Sequence, residues 1–447
     1  MEKKELVETR EIKEPSVNKV LTVQIVTMLI SVIAMFIDSI IISLFLKGDA
    51  LASYGFTNPV ILLITAFGGM IGNGVQVLAG ESSGKGDTQT LNRILSTALA
   101  GGVTGSALLM LVMLLFPESA AAFLGARSAA VTAMTADYLK GLCFAFPAIV
   151  IMLSVPVFMQ LDGGRPQLLR GAILLIVLDV SFDLFNVIVL HGGMFGMAMA
   201  TTLSYWITLA YNYLCFFRRS RYRVSFSAVS GAIMKDIFRF GMLYLTYKMC
   251  QVILSYAINR MLASFGGEMY VAANSIISSF NLVTGAVPSG FGSTTTMICS
   301  FYYGMGSKEK FRAFISHITK LSVRLDSAIA VISIAAAPLL VLLFRPDTAI
   351  VSDTAVFGLR LFSASIIFNT LNYIIKNSCQ SVRNNRASYA ICIMNDLALP
   401  LAAAIIIVQL LPVGWIWAAY TIGQFLTWLV VWTRAGGFSK GGPEIWK

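Results

Sequence analysis

Met35-Phe36-Ile37-Asp38-Ser39-Ile40-Ile41-Ile42 places a single carboxylate inside a hydrophobic run, Val20 to Leu46, that is otherwise uncharged. A run of that length crosses the roughly 30 Å of hydrocarbon in a bilayer as one α-helix. A bare carboxylate at such a depth costs several kcal/mol unless it faces protein, a partner or water. Asp38 is therefore a site candidate in a spanning helix.

A second stretch repeats the pattern. Leu178-Asp179-Val180-Ser181-Phe182-Asp183-Leu184-Phe185 sets two carboxylates four residues apart in the apolar run Gly171 to Leu190. That spacing stacks both on one helix face. Two desolvated like charges one turn apart favour proton uptake.

The composition agrees. The 447 residues are 57% hydrophobic and 12% charged, with mean hydropathy +0.78, and the charged share is about half that of a soluble domain. Cys143, Cys215, Cys250, Cys299, Cys379 and Cys392 stand singly, with no CxxC spacing, and His191 and His317 are the only histidines. Neither metal nor disulfide chemistry is signalled, and no nucleophile–base or metal constellation suggests an enzyme. The polar first nineteen residues lead into an apolar run with no small-residue cleavage site, so no signal peptide is expected.

Apolar runs recur twelve times, near 18–46, 52–80, 93–116, 134–159, 167–190, 194–217, 233–264, 270–303, 321–344, 354–379, 386–411 and 413–433. The expected architecture is an all-α polytopic membrane protein. With the N-terminus cytoplasmic, the inner connections hold 23 of the 33 Lys and Arg. The outer ones hold only Lys47, Arg127 and Arg345. By the positive-inside bias both termini are cytoplasmic, in a bacterial-type inner membrane. The net charge of +11 then follows from topology, and no nucleic-acid partner is implied.

A constant offset of 220 pairs Leu62 with Leu282, Gly72 with Gly292, Gly84 with Gly304, Gly86 with Gly306, Ser96 with Ser316, Gln160 with Gln380, Ala198 with Ala418 and Thr201 with Thr421. The chain reads as two parallel six-helix repeats. The expected divisions are an N-terminal tail 1–17, an N-lobe 18–217, a basic linker 218–232, a C-lobe 233–433 and a tail 434–447. The linker opens on Arg218-Arg219-Ser220-Arg221-Tyr222-Arg223, an anchor suited to anionic membrane lipids. Parallel halves around a cavity are a transporter architecture.

Counting residues at 1.5 Å each puts Asp38, Asp183 and Thr201 all about 11 Å beneath the outer face. They are expected to share one N-lobe pocket as a proton or cation site, with Asp179 supporting Asp183. The plainer reading is a set of polar groups satisfied by neighbouring Ser, Thr or Asn. In the second half the intramembrane charges are read as basic. Lys376, Lys320 and Arg324 are expected to snorkel to the head groups, whereas Lys248, near mid-depth of helix 7, is expected to line a cavity or pair with a carboxylate. Helix 7, with Arg239, Lys248, Gln251, Asn259 and Arg260, is the least hydrophobic span.

These motifs resemble those of the MATE (multidrug and toxic compound extrusion) family of the MOP flippase superfamily. Asp49-Ala50-Leu51-Ala52, Asn58-Pro59, Gly72-Asn73-Gly74-Val75-Gln76 and Gly84-Lys85-Gly86-Asp87 are similar to its first hairpin. Asp183-Leu184-Phe185, Gly193-Met194-Phe195-Gly196-Met197-Ala198-Met199-Ala200-Thr201, Val271-Ala272-Ala273-Asn274 and Pro288-Ser289-Gly290-Phe291-Gly292 continue the likeness. The resemblance implies two bundles about a V-shaped cavity, working as a monomer, and cation-coupled efflux of small amphipathic compounds by rocker-switch alternating access.

Within the family the chain looks like the DinF-like branch. Asp38, Asp183 and Thr201 then map onto its coupling site, and Asp179 stands where asparagine is common. The acidic positions that the NorM-like branch uses on helices 7 and 10 have no counterpart, and Lys248, Asn369 and Asn372 stand as the polar groups there. Lys248, Asn369, Asn372, Gln251 and Asn58 are the expected substrate-cavity residues. No cofactor is expected, and the coupling ion is expected to be H⁺, with Na⁺ the other candidate. The competing functions are a lipid or lipid-linked oligosaccharide flippase, and an exporter of anionic or zwitterionic metabolites that uses Lys248.

Overall fold

The computed structural model describes residues 16–46, 48–126, 128–344 and 348–434. The tail before residue 16, Lys47, Arg127, residues 345–347 (Arg345 among them) and residues 435–447 lie outside the described residues. Twelve long helices stand among the described residues. They are α1 Val17–Leu46, α2 Asp49–Gly84, α3 Thr88–Leu115, α4 Ala129–Leu161, α5 Arg165–Leu190, α8 Glu268–Gly304, α10 Ala349–Ser381 and α11 Asn385–Leu410, with α6 Gly193–Cys215, α7 Gly231–Phe265, α9 Lys308–Ala335 and α12 Ala418–Arg434. The first eight are long and apolar enough to cross a membrane by length and composition. The other four are shorter or more polar.

Eleven helices fall where the apolar runs predict them, to within about five residues. The ninth begins at Lys308 rather than near 321. Its first turns carry Lys308, Glu309, Lys310 and Arg312, so hydropathy does not report them. The Ser307 side chain caps the helix there by accepting from the Lys310 backbone N–H, satisfying a donor that the helix leaves orphaned. Lys320 and Arg324 therefore lie several turns inside α9 and not at its start.

The 220-residue repeat is written into backbone geometry. Asp87 caps α3 and Ser307 caps α9; Ser128 caps α4 and Thr348 caps α10. Each pair is 220 apart. Gly86 and Gly306 both take positive φ, 73° and 69°, and so do Gly163 at 81° and Arg383 at 64°. The left-handed turn at 383 persists although a side chain now occupies it, at a cost that glycine avoids.

The chain divides into two compact units, Met1–Met242 and Leu243–Lys447, so the boundary falls inside α7. In the first unit glycines let helices touch through their backbones. A Cβ on Gly72 would strike the Leu153 carbonyl of α4, one on Gly74 the Ile237 carbonyl of α7, and one on Gly241 the Met70 carbonyl of α2. The early turns of α7 are thus seated on α2. The linker is fixed to the same unit, since the backbone N–H groups of Arg223, Ser225 and Ser230 donate to Asn92 Oδ1 at 2.9 Å, Ser96 Oγ at 3.1 Å and Thr97 Oγ1 at 3.1 Å, all on α3. Arg221 pairs with Asp162 at 3.1 Å.

In the second unit the core gathers about Trp417, which is fully buried with Ile258, Leu262, Ile277 and Leu359. Its indole N–H donates to Asn274 Oδ1 at 2.8 Å, and Asn274 Nδ2 donates to Asn259 Oδ1 at 2.8 Å. Exposed Leu108, Leu111, Leu115, Val331 and Ile332 stud the outer faces of α3 and α9, a surface suited to hydrocarbon. All six cysteines are free.

Candidate functional site

In the first unit α1 and α5 pack together and bring Asp38 against Asp183, with Asp179 beside them. Asp183 is fully buried and Asp179 nearly so. Both oxygens of Asp183, and Oδ1 of Asp38 and of Asp179, are buried with no hydrogen-bond partner of good geometry among the described residues. Among the described residues no Lys or Arg neutralises the three there. The Thr201 hydroxyl of α6 stands beside Asp179. The four residues expected to meet do meet.

Three tyrosines that the sequence reading did not select surround them. Tyr54 of α2 reaches Ser39 and packs edge-on against Tyr138 of α4 at 5.5 Å between ring centroids. Tyr205, one turn beyond Thr201, is close to Asp179 and Asp38. Tyrosine recurs throughout the chain, so only the fold singles these out. Each carboxylate-bearing helix also loosens next to its carboxylate, with single π turns at Ile42–Leu46 after Asp38 and Asn186–Leu190 after Asp183. Such turns are rare and concentrate at functional sites.

The second unit corrects the expectation that its buried charges are all basic. Asp326 of α9 is fully buried near Thr370, and Asp396 of α11 is buried on a third π turn, Met394–Ala398. Lys376 does not snorkel. It is buried, 3.5 Å from Asp396 Oδ2, with its ammonium 3.7 Å from the Tyr373 ring centroid and 4.8 Å from that of Tyr247. A lysine so far inside is held by its pair and by ring faces.

Asn372 is fully buried and donates to Asn395 Oδ1 at 2.7 Å and to the Gln424 carbonyl at 2.8 Å. Asn395 Nδ2 in turn donates to Asn369 Oδ1 at 3.0 Å and to Asp396 Oδ1 at 2.9 Å. Asn369 and Asn372 thus belong to one network joining α10, α11 and α12. Lys248 is only partly buried and lies 5.1 Å from the Tyr247 ring and 5.7 Å from the Tyr244 ring. Gln251 stands by Tyr247. Asn58 belongs to the first unit and is exposed.

Twelve long helices in two like units, with ionisable groups buried along them, define a polytopic membrane transporter. The MatE family profile matches residues 24–189 and 246–404, more than half of the chain, and the chain belongs to that family. Members of the family are transporters of small molecules and not enzymes. The chain is 22% identical over 379 residues to the multidrug export protein MepA of Staphylococcus aureus, covering 82% of this chain and 81% of MepA. Its fold matches a multidrug-resistance MATE transporter of the MOP superfamily in an outward-facing conformation, at 20% identity and TM-score 0.88 over 98% of both chains. A MOP superfamily transporter from Pyrococcus furiosus described as having a binding pocket of reversed polarity matches at 20% identity and TM-score 0.86, over 95% of both chains.

Proposed function

We propose that this protein is a proton-coupled antiporter that exports amphipathic organic compounds from the bacterial cytoplasm, with Asp38, Asp183 and Asp179 as the coupling site. The observation that carries the reading is the apposition of half-buried Asp38 and fully buried Asp183, with no neutralising cation among the described residues. Two carboxyls in contact stay together only while a proton is shared between them. Loss of that proton leaves adjacent negative charges that must separate, take up water or be met by a cationic cargo.

Proton and cargo thereby exclude each other at one site. Protons arrive from the outer side, α1 repacks at the π turn beyond Asp38, and the two halves alternate access by a rocker-switch motion. Thr201 offers its hydroxyl to Asp179. The protein works as a monomer with both termini in the cytoplasm, and protons rather than Na⁺ drive it. A potential of 100 mV supplies about 2.3 kcal/mol per charge and one pH unit about 1.4 kcal/mol. Together they sustain a concentration ratio of several hundredfold when one proton exchanges for a neutral cargo, whereas exchange for a monovalent cation moves no net charge and one pH unit sustains about tenfold.

The test is uptake of the cationic fluorophore dansylcadaverine into proteoliposomes under an imposed pH gradient and, separately, a sodium gradient. A pH gradient is expected to drive flux in the parent, and Asp38→Asn or Asp183→Asn to abolish it while the protein stays folded. Flux driven by sodium alone, or intact flux in both variants, overturns the reading.

A further inference from the structure

We propose that Lys248, with the rings of Tyr244 and Tyr247, forms a site in the second unit for the anionic group of a cargo, a carboxylate or phosphate carried on an apolar body. The inference rests on reading the chain as an exporter and gives its cargo a second recognition element. The argument is one of charge. Lys248 and Lys376 both lie near one ring, with ammonium groups 5.1 and 4.8 Å from the centroid of Tyr247. Asp396 is the carboxylate they share, and it is already committed. Its Oδ1 accepts from Asn395, and its Oδ2 faces Lys376 at 3.5 Å and the Cys392 thiol at 3.6 Å.

Two ammonium groups set against one carboxylate leave a single positive charge. Lys376 is deep and paired, so that charge falls on Lys248, which keeps access to its surroundings and has no carboxylate within ion-pair distance among the described residues. Ring faces attract an ammonium by about 0.5–2 kcal/mol, less than the cost of a lone charge away from bulk water. A bound anion supplies the missing partner, and the two tyrosine rings supply an aromatic wall for the body that carries it. Asn395 is occupied by Asn369, Asn372 and Asp396 and does not compete for the anion.

The experiment compares two probes with one fluorophore and opposite charge, dansylglycine and dansylcadaverine. Each is titrated at equilibrium against the full-length protein in phosphatidylcholine nanodiscs. Lys248→Met is expected to raise the Kd of dansylglycine by about tenfold or more, as loss of a charge-assisted contact does, and to leave dansylcadaverine within about twofold. Lys248→Arg is expected to retain most of the dansylglycine affinity, which separates lost charge from lost fold. Equal weakening of both probes, or an unchanged Kd for dansylglycine, overturns the proposal.

Nanodiscs containing phosphatidylglycerol separate the sources of the anion. Competition of that lipid with dansylglycine in the parent but not in Lys248→Met assigns the site to a lipid head group, and lack of competition assigns it to free cargo. A parent that binds neither dansylglycine nor phosphatidylglycerol overturns the proposal. No ion gradient enters these titrations, so the coupling reading fails or survives independently.

Discussion

At the scale of single residues, the groups that matter most here are those whose partners are missing or contested. Asp38 and Asp183 were legible because a charge in an uncharged run is conspicuous. Asp326 follows Lys320 and Arg324 and is masked by their charge, whereas Asp396 stands as the single charge between Arg386 and Arg434, as conspicuous as Asp38 but absent from the sequence reading; sequence does not say which charges find each other. Lys376 shows the difference, since its pairing with Asp396 depends on the contact of α10 with α11. Lys376→Met leaves that carboxylate buried without its cation, and a loss of about 3–5 kcal/mol is expected in thermal or denaturant unfolding of the solubilised protein. Adding Asp396→Leu to it is expected to recover much of the loss. A double variant as unstable as the single one would show that the network around Asn395 matters more than the pair.

A milder case sits at the exposed turn before α3. Asp87 accepts from the Thr90 backbone N–H at 2.9 Å and from its hydroxyl at 2.6 Å, and these bonds hold its carboxyl below the ordinary range. A lowered folded value stabilises the protein above the unfolded pKa, near 4, and that stability is lost as pH falls through the folded value. Asp87→Ala is expected to cost about 1 kcal/mol at pH 7. The parent–variant difference in melting temperature should shrink as pH drops below about 4.

At the scale of elements, helix positions follow from hydropathy, and helix contacts do not. Twelve spans could be placed because a spanning helix needs length and apolarity. The ninth helix starts earlier than hydropathy indicates because its first turns are charged. Contacts turn on glycines whose roles differ although their letters agree. Gly74 leaves no room between α2 and α7, where an added Cβ would meet backbone, whereas Gly86 has open space around it and only a left-handed backbone to maintain. Gly74→Ala is expected to force the helices apart and cost about 1–3 kcal/mol. Gly86→Ala is expected to cost about 1 kcal/mol with the packing intact. Unfolding midpoints give both costs, and a larger loss at Gly86 than at Gly74 would contradict the assignment.

At the scale of the whole molecule, the repeat of 220 residues predicts the paired architecture, and the asymmetric basic residues predict an orientation. The orientation is checked by labelling. With Cys215 replaced by serine, Ser227→Cys in the linker is expected to react with a membrane-impermeant maleimide in inverted vesicles and not in intact cells. Labelling in intact cells would reverse the topology. The electrostatics of each half could not be read the same way, because a matched register does not imply matched chemistry. The first unit gathers Asp38, Asp179 and Asp183 with no cation beside them among the described residues, and the second sets Lys376 and Lys248 about Asp396.

The shared caps at 87 and 307 and at 128 and 348, and the left-handed residues at 163 and 383, are what a tandem duplication leaves behind. Arg383 keeps a bend whose counterpart is a glycine, so the ancestral backbone has outlasted the residue best suited to it. The turns of the two copies agree while their interiors differ, and the halves of one chain can then be compared as two related proteins are, with no second species needed.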